Sequence, residues 1–392
     1  MLSELKNAIA SVEEDVIRWR RHLHAHPELT FHEFETANYI HEQLSAFENL
    51  TLTRLTPNSV QALLKGSRPG KRIALRADID ALPLNEESGE PFSSTKPGVM
   101  HACGHDAHTA MLLGAAKVLS RMQDKIAGEV LFIFQHAEEI PPGGAQDLID
   151  KGVLDGVDMI FGMHVWPAYP VGEIMMKPGV FCASSDNFDI TIKGRGAHGS
   201  MPQIGIDPIV VGAQVVSAMQ SIVARRLDPL HAPVLTIATF RSGDSYNVIP
   251  STAELAGTIR THDKSVRAKV PAMLEQTLAG VCSAYGAEYD LKWTHGYAIG
   301  NNHPEACEIA SQVVETYLGG VKLKPMPAAM FGSEDFSSYL ETVPGSFLFV
   351  GAGNEAKGAI HGLHNPQFKL DEDVMKTGVT LHVGLIHRLL MS

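Results

Sequence analysis

The sequence predicts an α/β protein: a mostly parallel sheet covered by helices, with a second, ferredoxin-like (βαββαβ) domain inserted into the first. Three observations carry this expectation. Short, continuous apolar runs of the buried-strand kind recur at 73–79, 130–134, 159–163 and 347–350. An alanine-rich helical stretch over 107–122 separates the first two, so strand and helix alternate. The middle of the chain instead reads strand–helix–strand–strand–helix–strand over about 110 residues, the split-βαβ order. A chain of 392 residues also exceeds one typical core and implies about two domains.

Leu2, Leu5, Ile9, Val12, Val16, Trp19 and Leu23 recur at spacings of three and four, one face of an opening amphipathic helix. It should stop near His26 and Pro27. A second helical pattern runs over 33–47, before the apolar runs begin. The middle predicts strands at 189–193, 234–240, 253–259 and 289–293. It predicts helices at 208–226 and, despite Pro271, at 264–285. The domains therefore divide as 1–184, 185–295 and 296–392, the first and last forming one body.

The net charge is −12, with 32 basic and 44 acidic residues, which argues against a binder of nucleic-acid phosphates. Hydrophobic residues are 44% and charged residues 19%, too apolar for a largely disordered chain. No run is expected to reach the roughly 18 apolar residues of a membrane span. The start of the chain lacks a basic-then-apolar leader pattern. Cys103, Cys182, Cys282 and Cys307 are widely spaced with no CxxC, which points to a reducing cytoplasm.

Chemistry concentrates in four clusters. In Met100-His-Ala-Cys-Gly-His-Asp-Ala-His108, Cys103 and His105 offer a thiolate and an imidazole, both good ligands for borderline cations such as Zn²⁺. Gly104 between them allows a bend that turns both to one ion; the alternative is a buried Cys beside solvated His residues. Gln135-His-Ala-Glu-Glu139 follows an apolar strand, where open α/β sheets place their ligands. Two adjacent carboxylates there repel unless a cation joins them; a solvated acidic loop is the other reading. His164 ends the third apolar run, and His361 and His364 follow the fourth. Together the clusters supply enough donors for one or two metals. A pair of ions about 3.5–4 Å apart is a known solution for amide hydrolysis.

With these motifs, Leu75-Arg-Ala-Asp-Ile-Asp-Ala-Leu-Pro83, Gly162-Met-His-Val165, Gly196-Ala-His-Gly-Ser-Met-Pro202 and His364-Asn-Pro-Gln-Phe368, the chain resembles the aminoacylase and hippurate-hydrolase type of metal-dependent amidohydrolases. Plant hydrolases of indole-acetyl amino acids belong to the same group. The resemblance spans essentially the whole chain. It implies a catalytic α/β domain and an inserted lid domain that mediates homodimerisation, with higher oligomers open. It further implies that Cys103, His105, Glu139, His164 and His364 bind two divalent ions, Zn²⁺ or Mn²⁺, with Co²⁺ or Ni²⁺ as further options. Glu138 becomes the general base and Asp80 the acid that orients a ligand. His198 faces the substrate, often across the dimer. Asn247 and Arg260 hold the substrate carboxylate, Arg260 having a salt-bridge role as its alternative. His136 departs from the pattern, since many relatives have Pro there. The implied reaction is hydrolysis of N-acyl L-amino acids. A dipeptidase or carboxypeptidase using the same centre, and a binding-only relative, remain alternatives at this point.

Overall fold

The computed structural model describes residues 2–391, with the side chain of Leu2 outside the described part. The chain divides into two compact units: Met1–Phe181 with Asn301–Ala328 and Asp335–Ser392, and Cys182–Gly300 with Ala329–Glu334.

The first unit is built on an eight-stranded sheet. Its order is Leu50–Thr53, Val60–Lys65, Ala127–Gln135, Arg68–Asp78, Met159–Pro170, Gly345–Gly353, Glu173–Met176 and Lys322–Pro325. The four central strands run parallel, and they are the four that contain the predicted apolar runs. Val60–Lys65 and Glu173–Met176 flank them antiparallel. The edge strands have no apolar run to betray them: Leu50–Thr53 alternates half-buried with exposed, and Lys322–Pro325 is mostly exposed. Helix His105–Ser120 is buried at every residue except Lys117, which explains its alanine-rich sequence. Helices Glu13–Ala25 and Val374–Leu390 pack against it.

The predicted opening helix is in fact two, Leu2–Ala10 and Glu13–Ala25. The break falls where the Ser11 hydroxyl donates to Ala8 O at 2.7 Å and competes with the backbone ladder. The apolar stripe crosses the break intact, with Leu5, Ile9, Val12, Val16, Trp19 and Leu23 all buried.

The second unit carries a four-stranded antiparallel sheet in the order Val234–Arg241, Thr252–Thr261, Ser184–Lys193, Glu288–His295. The third strand lies between the first and second, and the fourth lies outside the first, which is the ferredoxin-like arrangement. Val211, Val215 and Met219 of one helix and Val270, Leu274 and Leu278 of the other share a core with Ile190, Ile192 and Leu255. Ala183 N–H donates to Met330 O at 3.0 Å and Gly332 O at 3.1 Å, so a segment distant in sequence joins this unit. Pro208–Arg226 contains an 18-residue stretch of mean hydropathy 1.2, so by length and composition alone it is apolar enough to cross a bilayer, although polar residues such as Gln214 and Gln220 interrupt it. Val211, Val215 and Met219 put one face of it into the core of this unit, while Ile209 and Val210 are exposed.

Leu278 is fully buried in this core. Leu278→Ala should lower stability by about 2–5 kcal/mol, the usual cost of such a cavity. Hydrogen exchange followed by mass spectrometry should place the faster opening in the second unit.

Candidate metal centre

Parallel pairing of Arg68–Asp78 with Ala127–Gln135 sets Asp78 opposite Gln135, so both strands leave the sheet side by side. Asp80 follows the first strand and His136–Glu139 the second. Cys103 and His105 flank Gly104, whose φ is +90°. A Cβ at Gly104 would come 2.3 Å from Val165 Cγ2, so both conformation and space require glycine. His164 lies within Met159–Pro170 rather than at its end, because the strand runs on past the apolar stretch. His364 comes from a remote loop, anchored by its N–H donating to Ala102 O at 2.8 Å.

These elements bring seven of the ten expected residues together. One donor atom each from Cys103, His105 and His164 lies within 4.8 Å of the others. The same holds for Cys103, Glu139 and His364, and for His105, Glu138 and Glu139. Cys103 belongs to two of the three groups. Its Sγ is 3.3 Å from His164 Nε2. Glu139 Oε1 is 3.4 Å from His364 Nε2 and 3.8 Å from His105 Nε2. Asp80, the seventh, accepts from His105 Nδ1 at 3.0 Å through one oxygen. Its other oxygen accepts from Thr30 Oγ1 at 2.9 Å and Glu139 N–H at 3.0 Å. His164 Nδ1 donates to Val165 O at 2.7 Å. Both imidazoles thus spend Nδ1–H on an acceptor and turn Nε2 to the cluster.

Burial, reinforced by the charges of Glu139 and Glu138, pushes the Cys103 thiol well above its ordinary range. Burial also opposes charge on His105, yet Asp78, Asp80 and Glu139 outweigh it and raise the imidazole to about 10. Burial and the neighbouring His108 hold His164 well below its usual range. His136 is buried beside the cluster but belongs to none of the three donor groups, its Nε2 lying 3.8 Å from Asp147.

The sequence assigns no role to a further buried chain of contacts. Val165 N–H donates to His108 Nε2 at 2.9 Å, and His108 Nδ1 donates to Asp78 at 2.6 Å. Arg76 bridges Asp78 and Asp335, at 2.6 Å to each. This chain holds the backbone next to His164. Its one sequence signal is a pair of charged residues, Arg76 and Asp78, inside the otherwise apolar run 73–79.

His198, Asn247 and Arg260 lie in the second unit. His198 pairs with Val248 in a two-stranded ladder, and Gly199 N–H donates to Asn247 O at 2.8 Å, so the first two are neighbours. Ser200 N–H donates to His198 Nδ1 at 3.2 Å, which leaves the ring proton on Nε2. Arg260 donates to Phe331 O at 3.2 Å and to Ser333 Oγ at 3.3 Å.

Residues 74–388 match the model of peptidase family M20/M25/M40. The chain belongs to this family. It is 48% identical over 302 residues to an N-acyl-L-amino acid amidohydrolase of Geobacillus stearothermophilus, covering 77% of this chain and 82% of that one. It is 40% identical to thermostable carboxypeptidase 2 of Saccharolobus solfataricus, over 98% of both chains. The crystal structure of the Bacillus subtilis YXEP protein, described as a dinuclear metal binding peptidase from the M20 family, is similar at TM-score 0.82 and 36% identity. That match covers 96% of this chain and 98% of the other. This M20 member is thus a hydrolase, and its donor cluster suits divalent cations. The buried His105 Nε2 has no hydrogen-bond partner, and one thiol, three imidazoles and a carboxylate are the donor types that borderline cations prefer.

Cys103→Ser should lower the metal content per chain, measured by elemental analysis after dialysis, because a hydroxyl is a poorer donor than a thiolate. Cys282→Ser, in the core of the second unit, should leave it unchanged.

Proposed function

We propose that this chain hydrolyses the amide bond of N-acyl L-amino acids, releasing a carboxylic acid and the free amino acid. Two divalent cations are held by Cys103, His105, Glu139, His164 and His364, with Glu138 as the general base. The observation that carries this reading is the pair of three-donor groups sharing Cys103, with Glu138 in a third group beside them. A shared thiolate favours Zn²⁺, and Mn²⁺, Co²⁺ and Ni²⁺ also suit the set. Bound cations supply Lewis acidity, polarising the carbonyl and acidifying the attacking water.

The chain's own residues do the rest. Glu138 takes a proton from the attacking water as its oxygen bonds to the carbonyl carbon. When the C–N bond breaks, Glu138 delivers that proton to the leaving nitrogen. Asp80 holds the His105 tautomer and the Glu139 backbone together. His198, with its proton on Nε2, donates to the developing oxyanion, from this chain or a partner subunit. Arg260 and Asn247 hold the amino-acid carboxylate, a role that suits the guanidinium fork.

The chain acts as a homodimer joined through the second unit. Val234–Arg241 is an edge strand, and Val234, Phe240, Ile209 and Val210 are exposed on it and on the adjacent helix. Four buried free thiols support a cytoplasmic location.

The carboxypeptidase relative favours a second reading, cleavage of peptides by the same centre. Rates on hippurate and N-acetyl-methionine against simple dipeptides separate the two. Faster turnover of the dipeptides would establish the second.

Glu138→Gln should keep the metal and lose turnover by about 10²–10⁴-fold, the range for a lost general base. Metal content is read beside kcat. Near-normal turnover removes Glu138 from the role, and lost metal makes it a ligand.

His198→Ala should lower kcat by about 10²-fold or more with metal retained, the range for one lost oxyanion donor. If the histidine crosses between subunits, mixing the His198→Ala and Glu138→Gln proteins should recover activity, since each hybrid dimer contains one complete site. Continued inactivity after proven subunit exchange places His198 within its own chain, or outside the reaction.

A further inference from the structure

Glu33 is fully buried at the start of helix Phe34–Ser45, yet its carboxylate does not cap that helix. It turns away instead. Oε1 accepts from Ala137 N–H at 2.8 Å and from Phe31 N–H at 3.0 Å, and Oε2 accepts from Asn58 Nδ2 at 2.8 Å. All three partners are donors, so the group serves purely as an acceptor.

Both backbone partners are unusual. Only Phe31, Asn49, Ala137 and His364 have positive φ among the described non-glycine residues. Two of these four donate to the same oxygen of Glu33. Ala137, at φ +53°, directly precedes Glu138. A left-handed alanine costs roughly 1–2 kcal/mol and persists only where its surroundings hold it. Here the holding is complete on both sides of Glu138. Ala137 N–H is bound by Glu33, Ala137 O accepts from Gly144 N–H at 2.9 Å, and Glu139 N–H is bound by Asp80 at 3.0 Å. Two buried carboxylates from distant parts of the chain clamp the backbone that presents Glu138.

We propose that Glu33 is a positioning residue for Glu138: by holding Ala137 in the left-handed conformation, it sets the direction in which the Glu138 side chain leaves the backbone. The proposal rests on Glu138 being the base, which Glu138→Gln tests separately. Geometry, not charge, is what Glu33 contributes. Burial and the nearby Asp80 charge raise its carboxyl to about 7, against the three donors that favour its ionised form.

Two substitutions separate geometry from charge. Glu33→Gln keeps an oxygen facing Ala137 and Phe31, and the Asn58 amide can turn its oxygen to the new NH₂ group. Glu33→Asp keeps the charge but draws the acceptor back by about 1.5 Å, one C–C bond. The Gln variant should retain kcat within about threefold, while the Asp variant loses about 10- to 100-fold in kcat with KM and metal content unchanged. Adding Ala137→Gly to Glu33→Asp should restore part of the lost kcat, because glycine takes positive φ without a Cβ penalty. A role confined to overall stability would move melting temperature without this pattern. The proposal is overturned if Glu33→Asp keeps wild-type kcat, if both single variants are equally impaired, if Glu33→Asp loses metal, or if Ala137→Gly gives no rescue.

Discussion

Four carboxylates, Asp78, Asp80, Glu138 and Glu139, converge where two neighbouring parallel strands leave the sheet, the first three buried and Glu139 half-buried. Compensating that charge is the constraint on which the rest of the first unit depends. Unpaired, each carboxylate would carry a desolvation penalty of several kcal/mol. The chain spends Arg76 and His108 on Asp78, and His105, Thr30 and a backbone N–H on Asp80. It leaves Glu138 and Glu139 in donor groups with thiol and imidazole. The rise of His105 to about 10 reports the same surplus of negative charge from the other side. Divalent cations are the natural complement of such a cluster.

The helix that follows Gly104 divides its first turn between two tasks. His105 faces Asp80 and the donor cluster. Asp106, the next residue, faces the N-terminal helix, where Arg20 Nε lies 3.0 Å and His24 Nδ1 2.9 Å from its carboxylate. The charges of Arg20 and His24 overcome burial and hold Asp106 far below the ordinary carboxylate range. Glu86 closes the far side of His24 at 3.0 Å. The N-terminal helices are therefore part of the scaffold of the site, tying the Cys103–His105 segment from behind while Thr30 binds Asp80 and Glu33 binds the peptide before Glu138.

The two units bury their sheets in two ways. The first covers a sheet that is buried on both faces at its centre, so its inner strands read as unbroken apolar runs. The second covers one face of an antiparallel sheet, and its strands alternate, as in Ser184–Lys193. The order of its elements, strand–helix–strand–strand–helix–strand, made the insert visible as a separate body in the sequence. The edge strand of the second unit, Val234–Arg241, is paired on one side only within the described residues, and Val234 and Phe240 on it are exposed.

The sequence by itself determined the four central strands, the ferredoxin-like order of the insert and the clusters that offer donors, because apolar periodicity and ligand chemistry are local properties; the choice of Glu139 and His364 within those clusters came from the family resemblance. It did not show the edge strands, whose exposure removes the apolar signal, or the break at Ser11–Val12, across which the apolar phase continues. The family resemblance implied an orienting acid, and place along the strand favoured Asp80 over Asp78, but Asp78, His108 and Glu33 were left without partners. Asp78 with His108 and Glu33 with Ala137 join residues 30 and 104 positions apart, and Arg76 with Asp335 joins residues 259 apart, through hydrogen bonds that leave no periodic trace. Only the folded chain could decide that His364 meets Glu139, that Cys103 stands in two donor groups at once, and that a glutamate near the N-terminus grips the peptide before Glu138. Each follows from where the sheet and its loops converge, and a one-dimensional pattern does not encode that.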